Sequence, residues 1–474
     1  MGKHHMKNMT LKNIAKAVDG VLHTENIAQG VSADTTEALG VVLDSRQVGA
    51  GYIFIATGGE RVDGHSFIDQ VFENGAIGVI CEKAPENPKG AYILVEDSFQ
   101  ALKDVAEYYR SQLNVKVIGI TGSVGKTSAK EFIASVVSGA FRTQKTKGNF
   151  NNEVGLPLTV LQIREDCEVA VLEMGISNFG EMHRLSRIAK PDICVITNIG
   201  QCHLENLGTR DGILKAKSEI FDFMAEDGSV CLNGDDNKLI TITEVKGKKP
   251  LFFGMDGGNA VYATDYVHMG LEGSRVTMHI NADTRTAFPV AIPLPGEHMV
   301  YNALAAAAVG LLLGMTAGQI RAGLEAVEPV GGRSNVIRTE SFTIIDDCYN
   351  ANPVSMKAAI DLLAQLAQSR RVAIMGDMFE LGERERELHR EVGEYAADNN
   401  LDVIICVGDL SEDMADGARA AAYSESSIYH FENKEELLVQ LKGLLCVGDT
   451  VLVKASHGMH FEELIPIIEN GFPD

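Results

Sequence analysis

An α/β chain of three domains, built on parallel sheets, is predicted by three observations. The 474 residues exceed what one hydrophobic core organises, since domains run from roughly 50 to 250 residues. An apolar strand at residues 115–120 passes through a glycine turn directly into a helix beginning near Lys126, the junction at which parallel sheets hold phosphate groups. Beyond residue 329, four apolar runs alternate with helical stretches, the pattern of a doubly wound sheet.

In chain order, residues 11–114 carry short β-like runs at 41–44, 53–56, 77–81 and 92–95, with helices expected at 66–74 and 98–113. This reads as a small α/β domain, residues 1–114. The second domain, 115–329, starts with the 115–120 strand and continues with apolar strands at 168–173 and 192–198. Strand, helix, strand implies parallel pairing through right-handed crossovers. A turn-rich insert with β-like runs spans 250–293, and helical periodicity returns near His298. The third domain, 330–474, places its strands at 342–345, 371–375, 403–407 and 450–453. No internal repeat or low-complexity tract interrupts the chain.

Composition removes several function classes. Hydrophobic residues make up 45% and charged residues 23% of the chain, whose formal net charge is −23. That charge repels a phosphodiester backbone, so nucleic acid is not an expected partner. A phosphorylated ligand must instead be held by backbone amides, a few placed cations or a metal. The most apolar stretch, 303–314, is Ala-rich and shorter than the roughly 20 residues of a membrane span, so it is expected in a core. Residues 1–9 are polar and carry no secretory apolar run. Eight cysteines are scattered without a C-x-x-C pair, which fits free thiols in a reducing cytoplasm.

The strongest motif is Gly119-Ile-Thr-Gly-Ser-Val-Gly-Lys-Thr-Ser128. Glycines let backbone N–H groups turn toward phosphate oxygens, Lys126 supplies a mobile cation, and the Thr127 hydroxyl can bind Mg2+. The long form of this loop requires glycine at position 120, which is Ile120. The sequence therefore carries the shorter Gly122-x-x-Gly125-Lys126-Thr127. Glu173 ends a second apolar strand and Thr197–His203 follow a third, so both lie where open parallel sheets bind ligands. Lys215 and Lys217 fall on the next helix. Residues two apart point to different sides, so at most one faces a central site.

Gly122–Thr127, Gly148-Asn-Phe-Asn-Asn-Glu-Val-Gly155, Glu173-Met-Gly175 and Thr197-Asn-Ile-Gly-Gln-Cys-His-Leu-Glu205 stand in the order found in the Mur ligases. Gly296-Glu-His-Met-Val-Tyr-Asn-Ala-Leu-Ala305, Arg333, Asp346-Asp-Cys-Tyr-Asn-Ala-Asn-Pro353 and Gly376-Asp-Met-Phe-Glu-Leu-Gly382 resemble the MurF branch. The likeness runs the whole chain. It implies an N-terminal UDP-muramoyl substrate domain, a central P-loop ATP-binding domain and a C-terminal Rossmann-like domain. The activity it implies is ATP-dependent ligation of D-alanyl-D-alanine to UDP-N-acetylmuramoyl-tripeptide through an acyl phosphate, in peptidoglycan precursor synthesis in the bacterial cytoplasm.

Carried over by motif, Gly122, Ser123, Gly125, Lys126, Thr127 and Ser128 would hold the ATP phosphates. Asn302 and His298 would lie on the adenine side, Asp347 at the ribose, and Arg333 would reach the γ-phosphate. Thr127, Glu173, His203 and a carbamylated Lys217 would serve two Mg2+ ions, and Asn152 would lie near the reacting phosphoryl group. Ser45 and Arg46, with Asn151, Asn152, Tyr349 and Asn350, would contact the substrates, and the Asp63-Gly-His65 turn resembles part of the same UDP-muramoyl region. The sequence departs from the family pattern at Met299 and at Lys454-Ala-Ser-His-Gly458. A monomer is expected. Two rivals remain at this level: a ligase of the same architecture with another amine, and a nucleotide-dependent switch that binds ATP without acceptor-dependent turnover.

Overall fold

The computed structural model describes residues 5–59, 62–281, 285–421 and 427–471. Three sheets, of five, nine and six strands, follow one another along the chain. The fold is the three-domain α/β architecture read from the sequence.

In the first sheet the parallel strands Gly40–Val42, Tyr52–Ile55, Gly78–Cys81 and Tyr92–Leu94 are joined by an antiparallel edge, Val21–His23. That edge escapes the sequence reading because its three residues are only partly covered and show no alternation. The helix expected at 66–74 is split: a 3-10 turn, Gly64–Phe67, precedes the α-helix Ile68–Glu73. Helix Ser98–Gln112, whose first turn is capped by Asp97, bonds the first domain to the second. Tyr109 donates its hydroxyl to the Ile163 carbonyl at 2.6 Å, and Arg110 Nε donates to Ala189 O at 2.9 Å.

The second sheet runs Leu251–Gly254, Ser229–Asn233, Ile193–Ile196, Lys116–Thr121, Val169–Glu173 and Thr143–Lys145 in parallel. The 250–293 insert does not stand apart from it. Its strands Val261–His268, Ser274–Asn281 and Arg285–Ile292 form an antiparallel ribbon that extends the same sheet beyond Leu251–Gly254. One face is covered by helices Lys126–Ser138 and Glu297–Leu312. The Ala-rich stretch lies in the second of these, with Ala303 through Ala308 fully buried, because small side chains let two helices approach closely.

In the third sheet, Thr343–Asp346, Thr450–Lys454, Arg371–Gly376, Val403–Val407 and Ile428–Phe431 are parallel, with Asn335–Arg338 antiparallel at the edge. Adjacent residues of one strand enter opposite cores, Ile345 one and Ile344 the other, as period-two geometry requires. Both faces are therefore covered, which makes this sheet doubly wound. Leu204 and Leu271 of the second domain pack on the third domain's core, and His268 Nε2 lies 3.1 Å from the Gln365 carbonyl.

Candidate active site

Register explains why the predicted residues gather. Strand Lys116–Thr121 pairs on one side with Val169–Glu173 (Ile120 opposite Glu173) and on the other with Ile193–Ile196 (Thr121 opposite Ile196). Three strands thus end together, and a cavity of about 800 Å3 opens there. The phosphate loop is shaped by the third strand end. Val124 N–H donates to Asn198 Oδ1 at 2.9 Å, Ser123 N–H donates to Asn198 O at 3.0 Å, and Thr197 Oγ1 donates to Val124 O at 2.7 Å. A Cβ at Gly122 would run into Thr197 Oγ1. Gly125, at φ 79°, takes the left-handed turn that starts helix Lys126–Ser138, a conformation glycine adopts without strain. Lys126 Nζ donates to Gly122 O at 2.9 Å, which parks the cation across the loop, and burial lowers its pKa.

Glu173 is 1% exposed. Its Oε1 accepts from Asn151 Nδ2 at 2.7 Å and from Thr127 Oγ1 at 3.1 Å. Its Oε2 is buried without a hydrogen-bond partner, although Lys130 Nζ stands 3.8 Å away. A buried carboxylate oxygen left unpaired is costly, and a hard cation beside Thr127 would satisfy it. Among the described residues no three His, Cys, Asp or Glu side chains gather as a metal cage. Mg2+ does not need one, since it keeps waters and takes one or two carboxylates plus substrate phosphates. A hydroxyl and a carboxylate at a phosphate loop therefore fit Mg2+.

His203 lines the same cavity at a left-handed φ of 51°, and its Nδ1 is engaged by Glu380 of the third domain. The two lysines of helix Arg210–Ser218 separate as helix geometry demands: Lys215 is exposed over the Phe179 ring, and Lys217 is fully buried. Lys217 Nζ has no hydrogen-bond partner. Burial, reinforced by the charge of Lys126 and opposed by Cys202, lowers its pKa to about 8.

The third domain closes the cavity from the other side. Arg333 lies over the Tyr349 ring with its guanidinium carbon 3.8 Å from the centroid, and both line the cavity. Asp347 accepts from Ser334 N–H at 2.8 Å and from Lys454 Nζ at 2.6 Å. Lys454, 2% exposed, also donates to Asn350 O at 2.8 Å. That part of the divergent 454–458 segment braces Asp347, and His457 stacks on Tyr349 at 5.4 Å. Met299, the other departure, is buried with Sδ 3.7 Å from Asn302 Nδ2. It orients Asn302, whose Oδ1 faces Gly125. His298 meets Ser334 Oγ at 3.2 Å, and burial lowers its pKa.

Some predicted contacts are occupied by the protein itself. Asn152 Oδ1 accepts from the N–H groups of Gly155 (2.8 Å) and Val154 (3.2 Å), so it caps a helix start while lining the cavity. Asn350 Oδ1 accepts from its neighbour Ala351. Ser45 and Arg46 are not among the residues lining the cavity. Ser45 is buried, and Arg46 pairs with Asp44 through Nη2–Oδ2 at 2.7 Å. His65 is fixed between Asp63 and the Glu82 N–H. Sequence reasoning missed Lys130, Tyr301 and Glu380. Tyr301 and Glu380 lie inside the 296–305 and 376–382 motifs but were given no role there, and Lys130 stands four residues after Lys126 on one helix face.

The chain is similar to known proteins over nearly its whole length. The chain matches the Mur ligase middle domain over residues 120–310, the Mur ligase glutamate ligase domain over 332–457 and the Mur ligase family catalytic domain over 37–117. It is 40% identical, over 97% of this chain and 98% of the other, to the UDP-N-acetylmuramoyl-tripeptide–D-alanyl-D-alanine ligase of Bacillus subtilis. To the Escherichia coli protein of that name it is 33% identical over 98% and 100%. A crystal structure of MurF from Acinetobacter baumannii superposes with a TM-score of 0.88 at 33% identity, covering 98% and 99%. MurF from Thermotoga maritima in complex with ADP superposes at 0.79 with 31% identity, covering 91% and 97%.

Proposed function

The chain belongs to the Mur ligase family, and from that membership we infer an ATP-dependent amide ligase of the MurF branch, which joins D-alanyl-D-alanine to UDP-N-acetylmuramoyl-tripeptide. The products are UDP-N-acetylmuramoyl-pentapeptide, ADP and phosphate. The single observation that carries the chemistry is the convergence of Lys126, Thr127, Glu173, His203 and Arg333 on one cavity between two domains.

The tripeptide carboxylate attacks the γ-phosphorus, ADP leaves, and an acyl phosphate forms. The D-alanyl-D-alanine amine then attacks the acyl carbon and expels phosphate. Residues 122–128 cradle the β- and γ-phosphates, and Lys126 swings from its Gly122 carbonyl to the transferring group. Arg333, held flat on Tyr349, reaches the γ-phosphate from the third domain. Thr127, Glu173 and His203 would hold Mg2+, which supplies charge neutralisation along the transferring phosphoryl group. A second ion would use Lys217 as a carbamate. At a pKa of about 8 the neutral amine costs only about 1.4 kcal/mol at pH 7, so addition of CO2 is accessible. Asn302 and His298 face the adenine, and Asp347 offers its remaining lone pairs to the ribose. Catalysis is positioning and charge stabilisation in a site that excludes water from the acyl phosphate.

The three domains, 1–114, 115–329 and 330–474, divide these tasks as UDP-muramoyl binding, ATP binding and closure. Ser45 and Arg46 contact the UDP-muramoyl moiety, and Asn151, Asn152, Tyr349 and Asn350 face the reacting ends of the substrates. Seven buried free thiols and ATP as co-substrate support a place in the bacterial cytoplasm. Isotope transfer tests the intermediate: the amide keeps only one of the two carboxylate oxygens, so with oxygen-18 in the tripeptide carboxylate the other label should appear in the released phosphate, and its loss to water with unlabelled phosphate would exclude an acyl phosphate.

A further inference from the structure

His203 and Glu380 belong to different domains, yet the carboxylate of Glu380 engages His203 Nδ1 directly. His203 lines the cavity and Glu380 does not, so Glu380 can act on the site only through the imidazole. In the neutral imidazole, a carboxylate accepting from Nδ1–H leaves the Nε2 lone pair free for a ligand. This is the arrangement by which proteins fix the tautomer and ring orientation of a metal-binding histidine.

The surrounding backbone is shaped to make this contact. Both residues are non-glycine with left-handed φ, 51° at His203 and 62° at Glu380, a conformation that persists only where neighbours enforce it. Glu205 N–H donates to Glu380 O at 3.3 Å. A Cβ on Gly382, which sits at φ 67°, would come within 3.2 Å of Glu205 Cα, so the two segments meet backbone to backbone. Leu204, next to His203, packs on the third domain's core.

We propose that Glu380 is a positioning residue for His203, supplied across the domain boundary, so that divalent-ion binding through His203 and closure of the third domain are coupled. The same docking that delivers Arg333 to the phosphates completes the carboxylate–histidine pair. When the third domain swings away, His203 loses its orienting partner and the ion is held more weakly. By linkage, the ion must favour the closed arrangement by the same factor.

This rests on the ligand role of His203 within the ligase reading, so the test separates the two. Mn2+ is titrated into the full-length protein with ADP present, with pulsed electron paramagnetic resonance reading imidazole nitrogen coupling and small-angle scattering reading closure. Wild type, His203→Ala, Glu380→Ala and Glu380→Gln are compared. The wild type should show nitrogen coupling that His203→Ala lacks. Glu380→Ala should raise the Mn2+ Kd by roughly 10- to 100-fold and reduce ion-induced closure. Glu380→Gln, whose amide oxygen still accepts from Nδ1–H, should recover part of the affinity, which a merely structural loss would not show. Mn2+ affinity and coupling in Glu380→Ala equal to wild type would overturn the proposal while leaving His203 a ligand. Absence of nitrogen coupling in the wild type would overturn the ligand role and the proposal with it, and acceptor-dependent turnover would still stand.

Discussion

Lys217 makes the sharpest predictions at the residue scale. Its ammonium is buried without a partner, and its pKa drops from 10.5 to about 8. The sign follows directly. Below pH 8 the folded protein carries the buried charge and its full cost; between pH 8 and 10.5 the unfolded state binds the extra proton, so this contribution to stability rises with pH. At pH 7 the cost is on the order of 3 kcal/mol. Lys217→Met should therefore raise the thermal midpoint of the ligand-free protein at pH 7 while abolishing ligation. An unchanged or lowered midpoint would mean that the charge is already compensated. In the active protein, 13CO2 should give a carbamate resonance that Lys217→Met lacks and that fades as pH falls below 8. Glu173→Gln keeps an acceptor for Asn151 and Thr127 but removes the charge. It should weaken divalent-ion dependence of turnover by at least tenfold with little loss of fold, read as the Mg2+ concentration for half-maximal rate. Much of this was legible, because Lys126, Thr127 and Glu173 sit at strand ends where only a few chemistries make sense. Lys215 and Lys217 were separable only in part. Periodicity says that they face different ways, and burial says which way is inward. Glu380 stood in the 376–382 motif, but its role was illegible, since its partner lies 177 residues away and no local pattern records a contact between domains.

At the element scale, the phosphate-loop helix is braced by its neighbours. Helix Ala317–Glu325 packs on Lys126–Ser138 through Gly323, whose carbonyl accepts from Ser135 Oγ at 2.7 Å. A Cβ at Gly323 would strike the Val136 backbone, which cannot rotate away. Gly323→Ala should cost about 1–3 kcal/mol of stability by overpacking and raise KM for ATP through the displaced helix. Denaturant unfolding and ATP kinetics check it, and a neutral effect on both would show that the helix pair yields freely. Apolar strands with a clear period, such as Val403–Val407, could be read from the sequence. Short partly covered edges such as Thr143–Lys145, and the joining of the 250–293 ribbon to the main sheet, could not. Local pattern reports that a strand exists but not which sheet it extends.

At the scale of the whole molecule, the cavity belongs to two domains, so its completeness depends on their arrangement. Nucleotide plus tripeptide should therefore compact the protein in small-angle scattering, and Arg333→Ala should lower the turnover rate more than it weakens ADP binding. The net charge of −23 makes the site an exception to its surroundings: phosphates enter against the global field and are held by Lys126, Arg333 and loop amides. High salt should then impair binding less than it would in a protein steered by a basic surface. The most direct measurement is phosphate release from ATP and Mg2+ with UDP-N-acetylmuramoyl-tripeptide, ending in lysine or diaminopimelate, with and without D-alanyl-D-alanine, and with Lys126→Ala as the blank. Release that requires both substrates, with pentapeptide identified by mass, is the predicted result. Nucleotide binding without such release on either tripeptide would contradict the account and leave an ATP-binding protein with a different acceptor.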